Sequence, residues 1–254
     1  MNGGVYFLKK KCFQAKNFNE KISLEEQIIA PLIKKNQILG FKSNNFFIDI
    51  GSEKTYKKAP KLLLKNLKKP AVFLDRDGVI NRAVVRNRKP YPPNTLQDLE
   101  ILPDVPEALN LLKERGFLLI VVTNQPDVGR GTQKQETVEE MHTYLVNKLP
   151  LDDIFVCWHG KDGECECRKP LSGMLIQAAE KYGVDFQQSY LIGDRWKDIE
   201  AGKTAGCKTI FLDYHYNELL RSQPDFTATS TRKASEWIVS QCSLNPLNRK
   251  LTCL

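Results

Sequence analysis

No apolar run in this chain of 254 residues approaches the roughly 18 that a membrane-spanning helix needs. The apolar core of a secretory leader is missing too: Val5 to Leu8 is short and runs straight into Lys9, Lys10 and Lys11. Arginine is absent from residues 1–69, and no groove-reading motif accompanies the lysines there. That segment therefore reads as a solvated basic face before it reads as a nucleic-acid binder. These absences exclude a membrane-spanning or exported chain and leave a cytosolic one as the expectation.

What is present suits a globular protein, with 41% hydrophobic and 27% charged residues. The net charge of +8 is unevenly spread. Residues 1–69 hold 15 Lys against 5 Asp or Glu, whereas the remaining 185 residues hold 23 Lys or Arg against 25 Asp or Glu. The break predicts a basic segment over 1–69 ahead of a main domain over 70–241, with 242–254 as a tail. Of seven cysteines, Cys157, Cys165 and Cys167 share one short window. Thiols stay reduced in the cytosol, so such a cluster points to metal rather than to disulfides.

From residue 70 onward, short apolar runs alternate with amphipathic stretches. The runs are Ala71–Leu74, Phe117–Val122, Ile154–Val156, Tyr190–Ile192 and Thr209–Leu212. Helical faces are formed by Val105, Leu109 and Leu112, by Val138, Met141, Leu145 and Leu149, and by Leu175, Ala178, Ala179 and Tyr182. The alternation predicts an α/β fold, a Rossmann-like parallel sheet with helices on both faces. Ligands in such sheets lie beyond the carboxyl ends of the strands. Residues 1–69 offer less: possible strands at Tyr6–Leu8 and Phe46–Ile50, and helices over Leu24–Lys35, with Ser23 as N-cap, and Tyr56–Leu67.

The strand ends carry the chemistry. The first run leads into Asp75-Arg76-Asp77-Gly78, where alternate residues put two carboxylates on one side. Paired acids repel unless a cation or a proton separates them. The second run ends in Thr123-Asn124-Gln125, whose hydroxyl and backbone amides can hold phosphate oxygens. The fourth ends in Gly193-Asp194, with Asp198 beyond it, and Asp194 adds a hard oxygen ligand suited to Mg²⁺. Lys169 supplies a positive charge. Each piece alone also reads as an ordinary polar turn or a surface lysine; their order along the chain is what makes them a site.

On these residues the chain resembles the haloacid dehalogenase superfamily. Phe73-Leu74-Asp75-Arg76-Asp77-Gly78-Val79-Ile80-Asn81 is similar to its first motif, and Thr123, Lys169 and Gly193-Asp194 are similar to the next three. Thr123-Asn124-Gln125 and the run from Cys165 to Pro170 look like the branch of heptose bisphosphate and histidinol phosphate phosphatases. The resemblance covers about residues 70–241 and implies a phosphatase with no large cap domain. It implies that Asp75 attacks phosphorus and Asp77 serves as acid and base. It also implies that Mg²⁺ is held by Asp75, Asp194 and the backbone carbonyl of Asp77, with Asp198 either a further ligand or a helix N-terminal acid. Thr123, Asn124, Gln125, Arg168 and Lys169 would meet phosphate or substrate; Arg130 reads equally as a substrate contact and as a surface residue.

Cys157, His159, Cys165 and Cys167 are spaced as Cys-x-His-x5-Cys-x-Cys, four ligands that suit a closed, structural Zn²⁺ site. Three free thiols and a surface histidine are the plain alternative. Cys167 is followed directly by Arg168 and Lys169, so zinc would fix the loop that delivers both cations. His142 and His215 have no ligand-like neighbourhood and are expected to be structural or solvated.

Asn2 to Tyr6, Ser23 to Glu25 and Phe47 to Gly51 resemble the C-terminal part of sugar-phosphate nucleotidyltransferases, in which Asp49 would match a metal-binding acid. The glycine-rich nucleotide-binding start of those enzymes is missing, so the segment reads as a truncated partner for packing or assembly. The expected function is removal of the 7-phosphate from D-glycero-D-manno-heptose 1,7-bisphosphate. Histidinol phosphate hydrolysis is the alternative within enzymes, and a non-catalytic scaffold the alternative outside them. The partner is a small phosphate ester, with neither nucleic acid nor membrane expected.

Overall fold

The computed structural model describes residues 9, 23–39, 47–66, 68–160 and 165–244. The chain divides into two compact units, Met1–Asn66 and Leu67–Leu254.

In the first unit, a π-helical stretch over Glu25–Ile29 leads into α1 (Ala30–Lys34). The Ser23 hydroxyl accepts from the Glu26 amide at 3.3 Å, which is weak capping. α2 (Glu53–Asn66) starts ahead of Tyr56 because Ser52 and Thr55 exchange amide-to-hydroxyl bonds at its entry. The strand expected at Phe46–Ile50 is not formed over the described part, Phe47–Ile50. A strand needs a ladder partner for its backbone groups. The chain turns instead, with Asp49 Oδ1 accepting from the Gly51 amide at 2.8 Å. Tyr6–Leu8 lies outside the described residues.

The second unit holds, in chain order, β1 (Ala71–Leu74), β2 (Val84–Arg86), β3 (Lys89–Tyr91), α3 (Val105–Glu114), β4 (Leu118–Asn124), α4 (Pro126–Gly129), α5 (Gln135–Lys148), β5 (Asp153–Cys157), α6 (Gly173–Tyr182), β6 (Tyr190–Gly193), α7 (Trp196–Ala205), β7 (Lys208–Leu212), β8 (Phe226–Ala228) and α8 (Thr231–Leu244). Six strands form one sheet in the order β5-β4-β1-β6-β7-β8, with every neighbouring pair parallel. β1 is central, with Phe73 opposite Ile120 on one side and Leu191 on the other. The strand order reverses at β1, which places the crevice for a ligand at its carboxyl end.

Both faces of the sheet are covered, which is why β1, β4 and β6 read as nearly continuous apolar runs. Val72 and Leu74 point into a layer with Leu109 and Leu112 of α3, Met141 and Leu145 of α5, and Ile238 of α8. Ala71 and Phe73 point the other way, onto Met174 and Leu175 of α6 and Ala201 of α7. No second domain interrupts the link from β1 to α3, which carries the β2–β3 hairpin and one 3-10 turn over Leu96–Asp98. That hairpin turns on Asn87 and Arg88, both with positive φ (50° and 58°), the geometry of a tight two-residue turn. α8 runs to Leu244, past the expected boundary at 241, held by Trp237 stacked on Phe226 at 4.8 Å and edge-on to Tyr190 at 6.0 Å. No described helix is long and apolar enough to cross a membrane.

Leu109 is fully buried at the α3 contact, so Leu109→Ala should destabilise the protein by about 2–5 kcal/mol. The urea midpoint should fall with the slope unchanged. A midpoint equal to that of the unaltered protein would show that α3 contributes little to the core.

Candidate active site and metal centres

The carboxyl ends of β1, β4 and β6 converge on one cleft of about 500 Å³. Asp75 continues β1, its amide donating to the Ile192 carbonyl at 3.0 Å. Gly78 then reverses the chain at φ 91°, and a Cβ there would fall 2.1 Å from Asp194 Oδ2. Glycine is thus required for Asp194 to approach the β1 loop. Asp75, Asp194 and Asp198 each bring an oxygen within 4.8 Å of the others.

Lys169 reaches into this acid cluster from the loop after β5. Its Nζ lies 2.9 Å from Asp75 Oδ1 and 2.6 Å from Asp198 Oδ1, with the side chain only 2% exposed. Burial works against the ammonium, but Asp198 and Asp75 outweigh it and hold it protonated. Asn124 fixes the lysine backbone from both sides: its Nδ2 donates to the Lys169 carbonyl and its Oδ1 accepts from the Lys169 amide, each at 3.0 Å.

One ammonium does not neutralise three carboxylates. Burial raises Asp75 to about 6, against the pull of Lys169 and with the push of Asp198 and Asp77. Burial, then Asp75 and Asp198, raise Asp194 well above the usual carboxylate range. Neither buried oxygen of Asp194 meets a well-formed hydrogen bond. The Tyr216 hydroxyl reaches Asp194, but a neutral group leaves the excess negative charge of the cluster, which fits a hard divalent cation bound through Asp75, Asp194 and Asp198. Asp198 also sits in the first turn of α7, its Oδ2 accepting from the Arg195 amide at 3.0 Å, as a helix N-terminal acid does.

Asp77 faces the same cleft. Its carboxylate accepts from Arg76 Nε at 3.1 Å and Nη2 at 2.9 Å, from Asn81 Nδ2 at 3.0 Å and from Gln125 Nε2 at 3.2 Å. Burial alone would raise its pKa; Arg76 and these amides bring it below the usual value. Gln125 is 3% exposed and also donates to Thr123 Oγ1 at 2.9 Å. Its amide is therefore turned to Asp77 and Thr123, whereas Thr123, Asn124, Arg130 and Arg168 line the cleft. Arg130 pairs with Asp127 at 2.7 Å, and Arg168 Nη1 donates to the His159 carbonyl at 2.7 Å.

The sequence reading missed Arg76, which is wholly buried. Its place between two acids was the available signal. The hairpin was also missed, though Arg88 to Pro92 form part of the cleft wall; two exposed three-residue strands leave little pattern. A pair between Arg195 and Glu218 closes another edge.

The four Cys and His side chains also converge. Cys157 Sγ lies 3.8 Å from Cys165 Sγ and 3.6 Å from His159 Nδ1, and Cys167 Sγ lies 3.3 Å from that nitrogen. Around a tetrahedral zinc, bonds of about 2.3 Å to sulfur and 2.0–2.1 Å to nitrogen separate sulfurs by about 3.8 Å and sulfur from nitrogen by about 3.5 Å. Burial and the neighbouring thiols push Cys167 up to about 12, a crowding that a cation would relieve. The loop packs backbone to backbone on the end of α4, since a Cβ on Gly129 would fall 2.5 Å from Gly160 N and Trp158 O. Asp49, by contrast, belongs to no group of three metal-ligating side chains among the described residues.

A family model described as a haloacid dehalogenase-like hydrolase matches residues 7–206. The chain is 33% identical over 192 residues to the D-glycero-beta-D-manno-heptose-1,7-bisphosphate 7-phosphatase of Haemophilus ducreyi, covering 70% of this chain and 97% of that one. It is 36% identical over 152 residues to the D-glycero-alpha-D-manno-heptose-1,7-bisphosphate 7-phosphatase of Photorhabdus laumondii, covering 55% and 80%. Among solved structures it is similar to the D,D-heptose 1.7-bisphosphate phosphatase from B. bronchiseptica complexed with magnesium and phosphate. The TM-score is 0.58 and the identity 25%, covering 68% of this chain and 99% of that one. A parallel sheet with this strand order, acids gathered at its central strand and these relatives agree: the chain is a phosphatase and belongs to the haloacid dehalogenase-like hydrolases.

Proposed function

We propose that this enzyme removes the 7-phosphate of D-glycero-D-manno-heptose 1,7-bisphosphate through an aspartyl-phosphate on Asp75. The observation that carries the mechanism is the cluster of Asp75, Lys169, Asp194 and Asp198 at the end of the central strand. The substrate rests on the relatives named for that reaction. They bear both anomeric names, so either anomer is compatible.

Asp75 attacks phosphorus as its ester P–O bond breaks, and Asp77 gives a proton to the departing alkoxide. In the second step Asp77 takes a proton from water, which attacks the acyl phosphate and frees Asp75 and inorganic phosphate. Arg76 favours the ionised form of Asp77; the arrival of an anionic phosphate beside it restores proton affinity for the first step. Lys169, Thr123 and the Asn124 backbone hold the phosphoryl oxygens. Asp75, Asp194, the Asp77 carbonyl and Asp198 would hold magnesium, which when bound neutralises charge between nucleophile and phosphate. Zinc would be held by Cys157, His159, Cys165 and Cys167 and keep Arg168 and Lys169 at the cleft. Arg168 and Arg130 offer more positive charge than one transferred phosphate needs, which suits a second phosphate on the substrate. The basic segment 1–69 fits packing or assembly rather than catalysis, and the enzyme a cytosolic setting.

One observation favours a second reading. The metal loop is compact, with five residues between His159 and Cys165, and such a loop also suits hydrolysis of histidinol phosphate. A cationic amine, however, gains little beside Arg168 and Lys169.

Asp75→Asn should abolish turnover with the fold intact, because an amide cannot form the acyl phosphate; near-normal turnover in a pure sample would sink the mechanism. Elemental analysis should find about one tightly held zinc per chain, lowered in Cys165→Ser, and carefully purified protein without zinc would rule out the loop assignment. Compared under one magnesium and salt condition, kcat/KM should favour the heptose bisphosphate over histidinol phosphate. A tenfold preference the other way, about 1.4 kcal/mol in transition-state binding, would overturn the substrate and spare the mechanism.

A further inference from the structure

Arg76 is the largest fully buried side chain among the described residues, and it is a cation. Two of its nitrogens are spent on Asp77. The third, Nη1, lies 3.1 Å from Nε2 of His142, a residue of α5 that is itself 8% exposed. An arginine nitrogen can only donate, so Nε2 must accept, and the imidazole must be neutral with its proton on Nδ1. The surroundings enforce that state: burial first, and then the facing guanidinium, lower His142 to about 3, with Asp77 pulling weakly the other way. The ring neighbours that of Trp158, tilted by 40° at a centroid distance of 6.2 Å.

A buried guanidinium held on one side alone could swing away from a carboxylate one residue distant. His142 supplies the opposing anchor. We infer that His142 is a positioning residue for the phosphatase reaction, holding Arg76 so that the guanidinium clamps Asp77 where it can meet the leaving oxygen and the attacking water. Trp158, between two members of the metal loop, braces His142. The metal loop thus touches the proton-transfer residue through a chain of three side chains, besides delivering Lys169 to the nucleophile. The inference rests on the reading of Asp77 as acid and base.

Leaving groups separate this role from plain stability. A sugar alkoxide needs a proton to depart, whereas the nitrophenolate of p-nitrophenyl phosphate does not. Acid–base catalysis contributes on the order of 10²–10⁴-fold. His142→Leu, which removes the acceptor, should lower kcat/KM, which reports the step that breaks the ester bond, by at least about tenfold more for the heptose bisphosphate than for p-nitrophenyl phosphate. His142→Gln, which keeps an acceptor near the Nε2 position, should recover most of the loss. In the unaltered protein, nitrogen NMR of labelled histidine should show His142 protonated on Nδ1, a readout that holds even if a variant fails to fold. Equal losses on both substrates in folded His142→Leu, or a proton on Nε2, overturn the inference. Asp77→Asn is the benchmark: equal losses there would overturn the acid–base reading of Asp77, and the inference with it.

Discussion

The site depends on one buried ammonium shared between two carboxylates. Lys169 meets Asp75 and Asp198 at once, and those acids come from the ends of different structural elements, β1 and α7. At such depth an unpaired charge is costly, and removing one partner of a buried pair typically destabilises by about 3–5 kcal/mol. The lysine therefore fixes distances between elements as well as balancing charge. Its own position is over-determined, by Asn124 at the end of β4 and by the Cys/His loop that precedes it. Asp194 remains crowded against this arrangement, and a divalent cation resolves the residual excess of negative charge.

The two candidate metal centres divide labour by donor chemistry. Carboxylate oxygens gather at the mouth of the sheet, where a hard cation can exchange and keep open positions for phosphate. Three sulfurs and a nitrogen gather one loop away, a donor set that would enclose a borderline metal in protein. One residue, Arg168, separates Cys167 of the second centre from Lys169, the side chain on which the first depends.

Much of this was legible in the residues because buried parallel strands leave plain apolar runs. Ala71–Leu74 and Tyr190–Ile192 could hardly be anything but inner strands, and a polar residue following such a run is placed by the sheet itself. The interior wiring was not legible. Only its place between two acids separates Arg76 from a surface arginine, which is too little to foretell a wholly buried clamp, and His142 meets it only once α5 is laid beside β1. Short elements, the exposed β2–β3 hairpin and the three-residue β8, carry too few apolar residues for any period to emerge. The strand expected near Phe46–Ile50 erred in the opposite sense: a β-rich composition without a ladder partner among the described residues does not make a strand.

Thr231, at the start of α8, donates its hydroxyl to the Val79 carbonyl at 2.7 Å, a buried bond spanning 152 positions. Val79 belongs to the loop that carries Asp75 and Asp77. During synthesis the chain grows at about 5–20 residues per second. The loop is therefore on the order of ten seconds old, and out of the ribosome, before its last partner is made. Until then a buried carbonyl in the reacting loop has no permanent partner, and the apolar layer that α8 covers stays open. The order of translation thus makes the catalytic loop wait for α8, and a chain released before Thr231 would carry every acid of the site on an unfinished frame.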